Sequence, residues 1–291
     1  MDFKQELKKY AKIINEELIK YVRTKDCPEG ILNASMEYSL MAEGKRLRPI
    51  LVLKTYQLFK DDYQVAMPYA IAMEMVHNFS LIHDDLPAID NDDFRRGRLT
   101  NHKKFGESTA ILAGDALLNN AYMLISKDLL TLNEKKTQAF YEFTNAVDRM
   151  IIGEYVDTEF EGKEISKEYL EYMHQNKTGA LIKASIRIGA ILAGADKEST
   201  ARLTNYAEKI GLAFQIKDDI LSETGDEKVL GKPVGNDRQK GKCTFVTKYG
   251  IEKAKEMLAE VTKEAVEQAK FFGDNGEFLK ELALYIEYRQ K

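Results

Sequence analysis

Two groups of aspartate stand at the ends of apolar, helix-like runs: Asp84, Asp85 and Asp90 in DDLPAID, and Asp218 with Asp219 in DDILS. An isolated acidic stretch is most often a solvated helix end. Here the approach to the first group is MEMVHNFSLI and the approach to the second is GLAFQI, both largely apolar. Carboxylates brought together in such surroundings repel one another and lose hydration, and a cation relieves both costs. Magnesium suits the pattern: it prefers hard oxygen ligands, takes one or two carboxylates per ion, and lets phosphate oxygens complete its shell. The second group is the weaker, because position 222, one helical turn beyond Asp218, is serine.

Base accompanies the acid. Arg95 and Arg96 follow the first group directly, GKRLRP places Lys45 and Arg48 one turn apart ahead of an expected helix start, and Lys177 and Lys232 lie in NKTG and LGKPVG. Basic residues at exposed helix ends mostly serve solubility, and Arg95 and Arg96 beside five acids have surface ion pairs as a simple alternative. The combination of acid for a metal and base for phosphate points instead to diphosphate chemistry.

Something must hold these residues in place, and the periodicity says helices. Apolar residues recur at three and four spacing, as in Phe3, Leu7, Tyr10, Ile13, Ile14, Leu18 and Tyr21, while alternating strand-like stretches are scarce. The fold class is all-α, with helices expected at about 3–22, 31–43, 48–59, 64–85, 107–127, 134–161, 167–194, 198–222, 251–270 and 276–289. Pro49 fits the first turn of its helix, and Pro87 stops the helix that carries Asp84 and Asp85. Residues 223–248 are rich in glycine and charge and read as a connection with short helical pieces.

Composition narrows the partners. The 291 residues carry a net charge of −4 from 43 basic and 47 acidic side chains, which leaves no global excess for a nucleic-acid backbone or an anionic membrane. No stretch has the length of a membrane span or the form of a signal peptide. Cys27 and Cys243 are far apart and match no metal or redox spacing, as expected of a cytoplasmic protein without structural disulfides. No composition shift divides the chain, so a single domain over residues 1–291 is expected.

In their order, GKRLRP, HNFSLIHDDLPAIDNDDFRRG, HKKFGESTAILAGDALL, NKTGALIKASIRIGA, GLAFQIKDDIL, LGKPVGND and the terminal YIEYRQK resemble the short-chain trans-isoprenyl diphosphate synthases, most closely bacterial farnesyl diphosphate synthases. The resemblance spans nearly the whole chain, and seven ordered blocks are far more specific than one acid-rich motif. It implies a single-domain isoprenoid synthase-type helical bundle around a central active-site cavity, acting as a homodimer. The implied reaction joins isopentenyl diphosphate to dimethylallyl and then geranyl diphosphate, giving farnesyl diphosphate by ionisation, condensation and elimination. Geranylgeranyl or geranyl diphosphate synthase is the alternative, and a class I terpene cyclase or a non-catalytic prenyl-diphosphate-binding subunit are more distant rivals. A cyclase needs only one diphosphate, which the GKRLR segment and the Arg95–Arg96 pair argue against.

Residue by residue, the resemblance assigns Asp84, Asp90 and Asp218 to three magnesium ions, for which manganese can substitute, with Asp85 and Asp219 in support. It gives the allylic diphosphate to Arg95, Lys177 and Lys232, and isopentenyl diphosphate to Lys45, Arg48, His77 and Arg96. Thr178 and Gln215, with Lys177, line the reacting centre, and Arg289 with Lys291 closes over it. Phe79 and Ser80, five and four positions before Asp84, are the implied chain-length residues; on a helix Phe79 lies about 7.5 Å below Asp84. The sequence departs from the family pattern at Ser222 (usually aspartate), Glu154 (glutamine), Cys243 (serine) and Leu99 (proline). Ser222 bears on the third ion, and Glu154 adds a carboxyl whose partner or proton has to be found.

Overall fold

The computed structural model describes residues 2–21, 26–131, 133–224 and 243–290. Lys232, Lys291 and most of the 223–248 connection lie outside them.

The chain is all-α, as the periodicity requires. In order it forms α1 (Phe3–Leu18), α2 (Gly30–Leu40), α3 (Leu47–Tyr56), α4 (Met67–Asp84), a hairpin of β1 (Phe94–Arg95) and β2 (Arg98–Leu99), α5 (Asn101–Phe105), α6 (Glu107–Asp128) and α7 (Glu134–Glu159). Then follow α8 (Lys167–His174), a π-helical turn (Gln175–Gly179), α9 (Ala180–Ala193), α10 (Lys197–Thr224), α11 (Phe245–Tyr249), α12 (Ile251–Lys270) and α13 (Glu277–Tyr288). Two expectations change. The run 167–194 is interrupted by the π-turn, and the hairpin with α5 occupies a stretch in which no element was expected.

Side chains set several helix ends. Asp2, Asn133 and Ser166 accept hydrogen bonds from backbone N–H groups in the first turns of α1, α7 and α8. Thr244 and Thr247 close a reciprocal cap on α11. Pro49 sits in the first turn of α3, and α4 ends at Asp84, three residues ahead of Pro87.

The core sits around α4 and α9. Tyr69, Ile71, Met73, Met75 and Val76 of α4 are buried, as are Leu181, Ile186, Ile188 and Leu192 of α9, so these helices bury residues on every face. α4 packs on α6 and α3, α9 on α3, α7 and α10, and α12 covers α10. The α3–α9 contact is close enough that a Cβ on Gly189 would lie 2.4 Å from the carbonyl oxygen of Val52, so only glycine fits there.

One arginine of the basic segment belongs to this scaffold. Arg46 is buried and enters α3 from a left-handed conformation (φ 49°). Its guanidinium donates to Asn15 Oδ1 of α1 (2.9 Å), Glu74 Oε1 of α4 (2.6 Å) and the carbonyls of Leu40, which ends α2, and Ala42 beyond it (2.8 and 2.9 Å). It therefore ties three helices to the start of α3, which aims Arg48 at the site. Arg46→Ala leaves Glu74 charged and buried without its cation; chemical denaturation should show a loss of about 3–5 kcal/mol.

Candidate active site

The first acid group is built where α4 runs out. Asp84 is the last helical residue and Asp85 its cap, and the following loop folds back so that Asp90 N–H donates to the Asp84 carbonyl at 2.9 Å. Asp84 and Asp90 thereby share one end of the helix. Asn91, at φ 51°, completes the loop.

Two cations reach this end from different elements. Arg95 of β1 donates through Nη2 to Asp84 Oδ2 and through Nε to Asp85 Oδ1, both at 2.7 Å. Lys177, in the π-turn, reaches Asp84 Oδ1 (3.2 Å), Glu154 Oε1 (2.9 Å) and Asp157 Oδ2 (2.6 Å). π-Turns re-aim side chains within a helix and recur at functional sites. This one presses on α7 so closely that a Cβ on Gly153 would lie 2.1 Å from the Lys177 nitrogen.

Burial and charge set the protonation states. Burial alone would raise the Asp84 carboxyl, but Lys177 and Arg95 outweigh it and hold the group at about 2. Burial pushes Asp85 up to about 7 against the pull of Arg95, and pushes Glu154 up to about 8 against Lys177. Lys177 stays protonated: burial works against its charge, and the carboxylates of Asp84 and Asp157 overcome it.

The second acid group divides its labour. Asp219 is buried, accepting from Gln215 Nε2 through Oδ1 (2.9 Å) and from the Phe245 N–H at the start of α11 through Oδ2 (2.8 Å). Gln215 Oε1 accepts from Thr178 Oγ1 (3.1 Å), so a line of hydrogen bonds runs from the π-turn to α10 and α11. Asp218 is more open and accepts from Arg289 Nη2 at 2.5 Å, and the Arg289 guanidinium lies over the Phe214 ring. Ser222 is buried, one turn behind.

A second cationic cluster forms around Arg48, His77 and Arg96. Arg48 Nη1 and His77 Nε2 are 3.3 Å apart. Burial, then the charges of Arg48, Arg96, Arg95 and Arg46, push His77 well below its usual range, so its ring is neutral. Burial also lowers Arg48, to about 10, and its Nε is buried with no hydrogen-bond partner among the described residues. An orphaned guanidinium donor among gathered positive charges is what an anion would satisfy. Arg96 sits at the hairpin turn (φ 55°) and donates to the Glu43 carbonyl at 2.7 Å, against Gly44. Lys45 lies over the Tyr285 ring at 5.5 Å.

Phe79 and Ser80 lie one turn below Asp84 on different faces. Phe79 is buried edge-on against His83 (4.8 Å between centroids), and His83 in turn contacts the Ile111 carbonyl of α6. Ser80 is half-buried and donates to the His77 carbonyl.

Asp157 escaped the sequence reading as a site residue, although Glu154 and Asp157 fall on one face of α7 and that spacing was the available signal. The extra carboxyl at Glu154 is both paired to Lys177 and held protonated at neutral pH. Its folded value of about 8 lies above the ordinary 4.5, so the folded protein keeps a proton that the unfolded chain loses, and stability falls as pH rises between those values. Glu154→Gln removes that loss. The melting temperature of the variant relative to wild type should therefore rise by several degrees between about pH 5 and about pH 8.5.

The polyprenyl synthetase family model matches residues 29–280. The chain is 42% identical to the farnesyl diphosphate synthase of Geobacillus stearothermophilus over 263 residues, covering 89% of this chain and 88% of that one. It is 43% identical to the chloroplastic geranylgeranyl pyrophosphate synthase of Catharanthus roseus, covering 89% and 74%. Among solved structures, an apo FPP/GFPP synthase from Zymomonas mobilis superposes with a TM-score of 0.87 at 32% identity, over 98% of this chain and 99% of that one. The matched span takes in the basic segment, both acid groups, the hairpin and the Lys177 turn, and with them on one all-α scaffold the chain belongs to the polyprenyl synthetase family as a short-chain prenyl diphosphate synthase.

Proposed function

We propose that this prenyltransferase makes farnesyl diphosphate, condensing isopentenyl diphosphate first with dimethylallyl and then with geranyl diphosphate. The observation that carries the two-substrate reading is the separation of the cations into two sets. Arg95 and Lys177 hydrogen-bond the carboxylates at the end of α4, while Arg48 meets His77 and Arg96 donates to the Glu43 carbonyl.

The donors fit divalent magnesium. Asp84, Asp90 and Asp218, supported by Asp85 and Asp219, offer hard oxygen atoms, and Asp84 is ionised at any working pH. Among the described residues no three His, Cys, Asp or Glu side chains gather closely enough to hold an ion by themselves. When bound, three such ions, or manganese in their place, would supply charge neutralisation of the leaving pyrophosphate.

The chain's own residues do the rest. Lys177 and Arg95, with Lys232 from outside the described residues, grip the allylic diphosphate and stabilise the charge that grows on its bridging oxygen. Lys45, Arg48, His77 and Arg96 hold isopentenyl diphosphate by its diphosphate, with the double bond facing the allylic carbon. Neutral His77 donates a hydrogen bond without adding charge. Thr178 and Gln215 line the reacting centre, joined by the hydrogen bond from the Thr178 hydroxyl to Gln215 Oε1. Arg289, with Lys291, closes the site against water. The departing pyrophosphate accepts the proton lost in the final elimination.

We also propose a single polyprenyl synthase domain working as a cytoplasmic homodimer without nucleic-acid partners. No helix among the described residues is long and apolar enough to cross a membrane. Exposed apolar residues on α6 (Ile111, Leu112 and Met123) and on α7 (Tyr141, Ile151 and Tyr155) are available to a second copy.

The pure protein should convert isopentenyl and dimethylallyl or geranyl diphosphate to a fifteen-carbon product in magnesium and to none in excess chelator; activity in chelator would contradict the account. The same product analysis tests the floor of the cavity. Ser80 shares the Asp84 face, so Ser80→Phe should stop growth at ten carbons, and Phe79→Ala should yield twenty-carbon or longer chains. A fifteen-carbon product from both variants places the floor elsewhere.

A further inference from the structure

The hairpin that presents Arg95 and Arg96 has little to hold it by itself. Each strand is two residues long, pairing Phe94 with Leu99 and Arg95 with Arg98, and the turn places Arg96 and Gly97 at positive φ (55° and 72°). A ribbon this short is marginal in water. Packing does not rescue it, since Phe94 and Leu99 are 61% and 44% exposed. Beneath it lies a small cavity lined by Tyr38, Asn78, Leu81, Asp85 and Thr100, where a buried ribbon would have a core.

Tyr38 of α2 supplies what is missing. Its hydroxyl donates to the Leu99 carbonyl at 2.8 Å. The Arg98 guanidinium lies over its ring at 4.0 Å, and the Lys104 ammonium also at 4.0 Å. The Phe105 ring meets it edge-on at 5.5 Å. One aromatic side chain thus grips β2 through backbone and cation, and ties it to α5, which is anchored separately by the Asn101 hydrogen bonds to Ser35 and Ser39.

We infer that Tyr38, outside the reaction centre, is a positioning residue: by clamping Arg98 and the Leu99 carbonyl it fixes the hairpin in the attitude that aims Arg95 and Arg96 at the two diphosphates. The inference rests on the reading of Arg95 and Arg96 as diphosphate ligands. Thr100, whose hydroxyl donates to the Asp92 carbonyl and whose N–H donates to the Asp93 carbonyl, and the Lys103–Asp93 pair close the base of the loop beside the Phe94–Leu99 pair but leave Arg98 and the turn unheld. Arg95 contacts the carboxylates and Arg96 the Glu43 carbonyl, both at the turn end, so with Tyr38 removed β2 loses its side-chain hold and the hairpin pivots on that end.

The test compares wild type, Tyr38→Leu, Tyr38→Phe and the double variant Arg98→Ala/Lys104→Ala in steady-state kinetics and in amide hydrogen exchange over 94–99 without substrate. Tyr38→Leu should raise KM for both diphosphates about tenfold, with kcat within about threefold, and speed exchange about fivefold or more. Tyr38→Phe keeps the ring between its cations but loses the hydrogen bond to the Leu99 carbonyl, and should fall between wild type and Tyr38→Leu in both readouts. The double variant, altered only at exposed side chains, should fall between and decides the matter if Tyr38→Leu does not fold. Wild-type KM and exchange in Tyr38→Leu, or in the double variant, would overturn the clamp, as would a fall in kcat with KM and exchange unchanged. A wild-type protein that transfers no prenyl group would overturn the proposed function instead, and the exchange comparison would still judge the clamp.

Discussion

Negative charge at the wrong end of a helix is the constraint on which this molecule is built. The carbonyl end of a helix disfavours anions, yet Asp84 and Asp85 stand there, half-buried and buried. Neither water nor the backbone can neutralise them. Arg95 and Lys177 must therefore arrive from elsewhere in the chain, and much of the surrounding structure serves to bring them. The hairpin carries the first, the π-turn carries the second, and Gly153 lets the π-turn lie against α7 where Glu154 and Asp157 hold the other side of the lysine.

The same arrangement couples the two acid groups. Thr178 follows Lys177 directly, so a turn positioned by Asp84 also positions the hydrogen-bond line through Gln215 to Asp219 and on to α11. Of the paired aspartates, Asp85 and Asp219 are buried and Asp84 and Asp218 more open. The buried member of each pair is the one proposed to support and the open member the one proposed to ligate, roles that the sequence suggested only through resemblance. Protonated Glu154 lets an acid occupy a glutamine position without adding a charge beside Asp84.

Much of the scaffold was legible because long amphipathic helices repeat their signal over many turns: α12 matches the expected 251–270, and α6 and α7 differ from expectation by two residues or fewer. The hairpin was not, since two residues per strand show no alternation. Nor was the π-turn, whose one-residue slip leaves the apolar pattern of 167–194 nearly intact. Arg46 stood in the middle of the basic segment, and nothing local distinguishes a buried guanidinium that ties helices from its neighbours Lys45 and Arg48. Charge near the site was readable from composition and order, whereas the assignment of each charge to scaffold or substrate depends on partners far away in sequence, such as Asn15 and Glu74 for Arg46 or Asp218 for Arg289.

The central claim is that two diphosphate pockets exist, one built on carboxylates that require a divalent cation and one built on cationic side chains that do not. Calorimetric titration with isopentenyl diphosphate and with a non-ionisable thio analogue of geranyl diphosphate, each in chelator and then in magnesium, tests it most directly. The account predicts that isopentenyl diphosphate binds in both conditions with affinity changed by less than about tenfold, that the analogue binds tightly only with magnesium, and that neither displaces the other. Competition between the two for one site, or equally tight binding of the analogue in chelator, would contradict it.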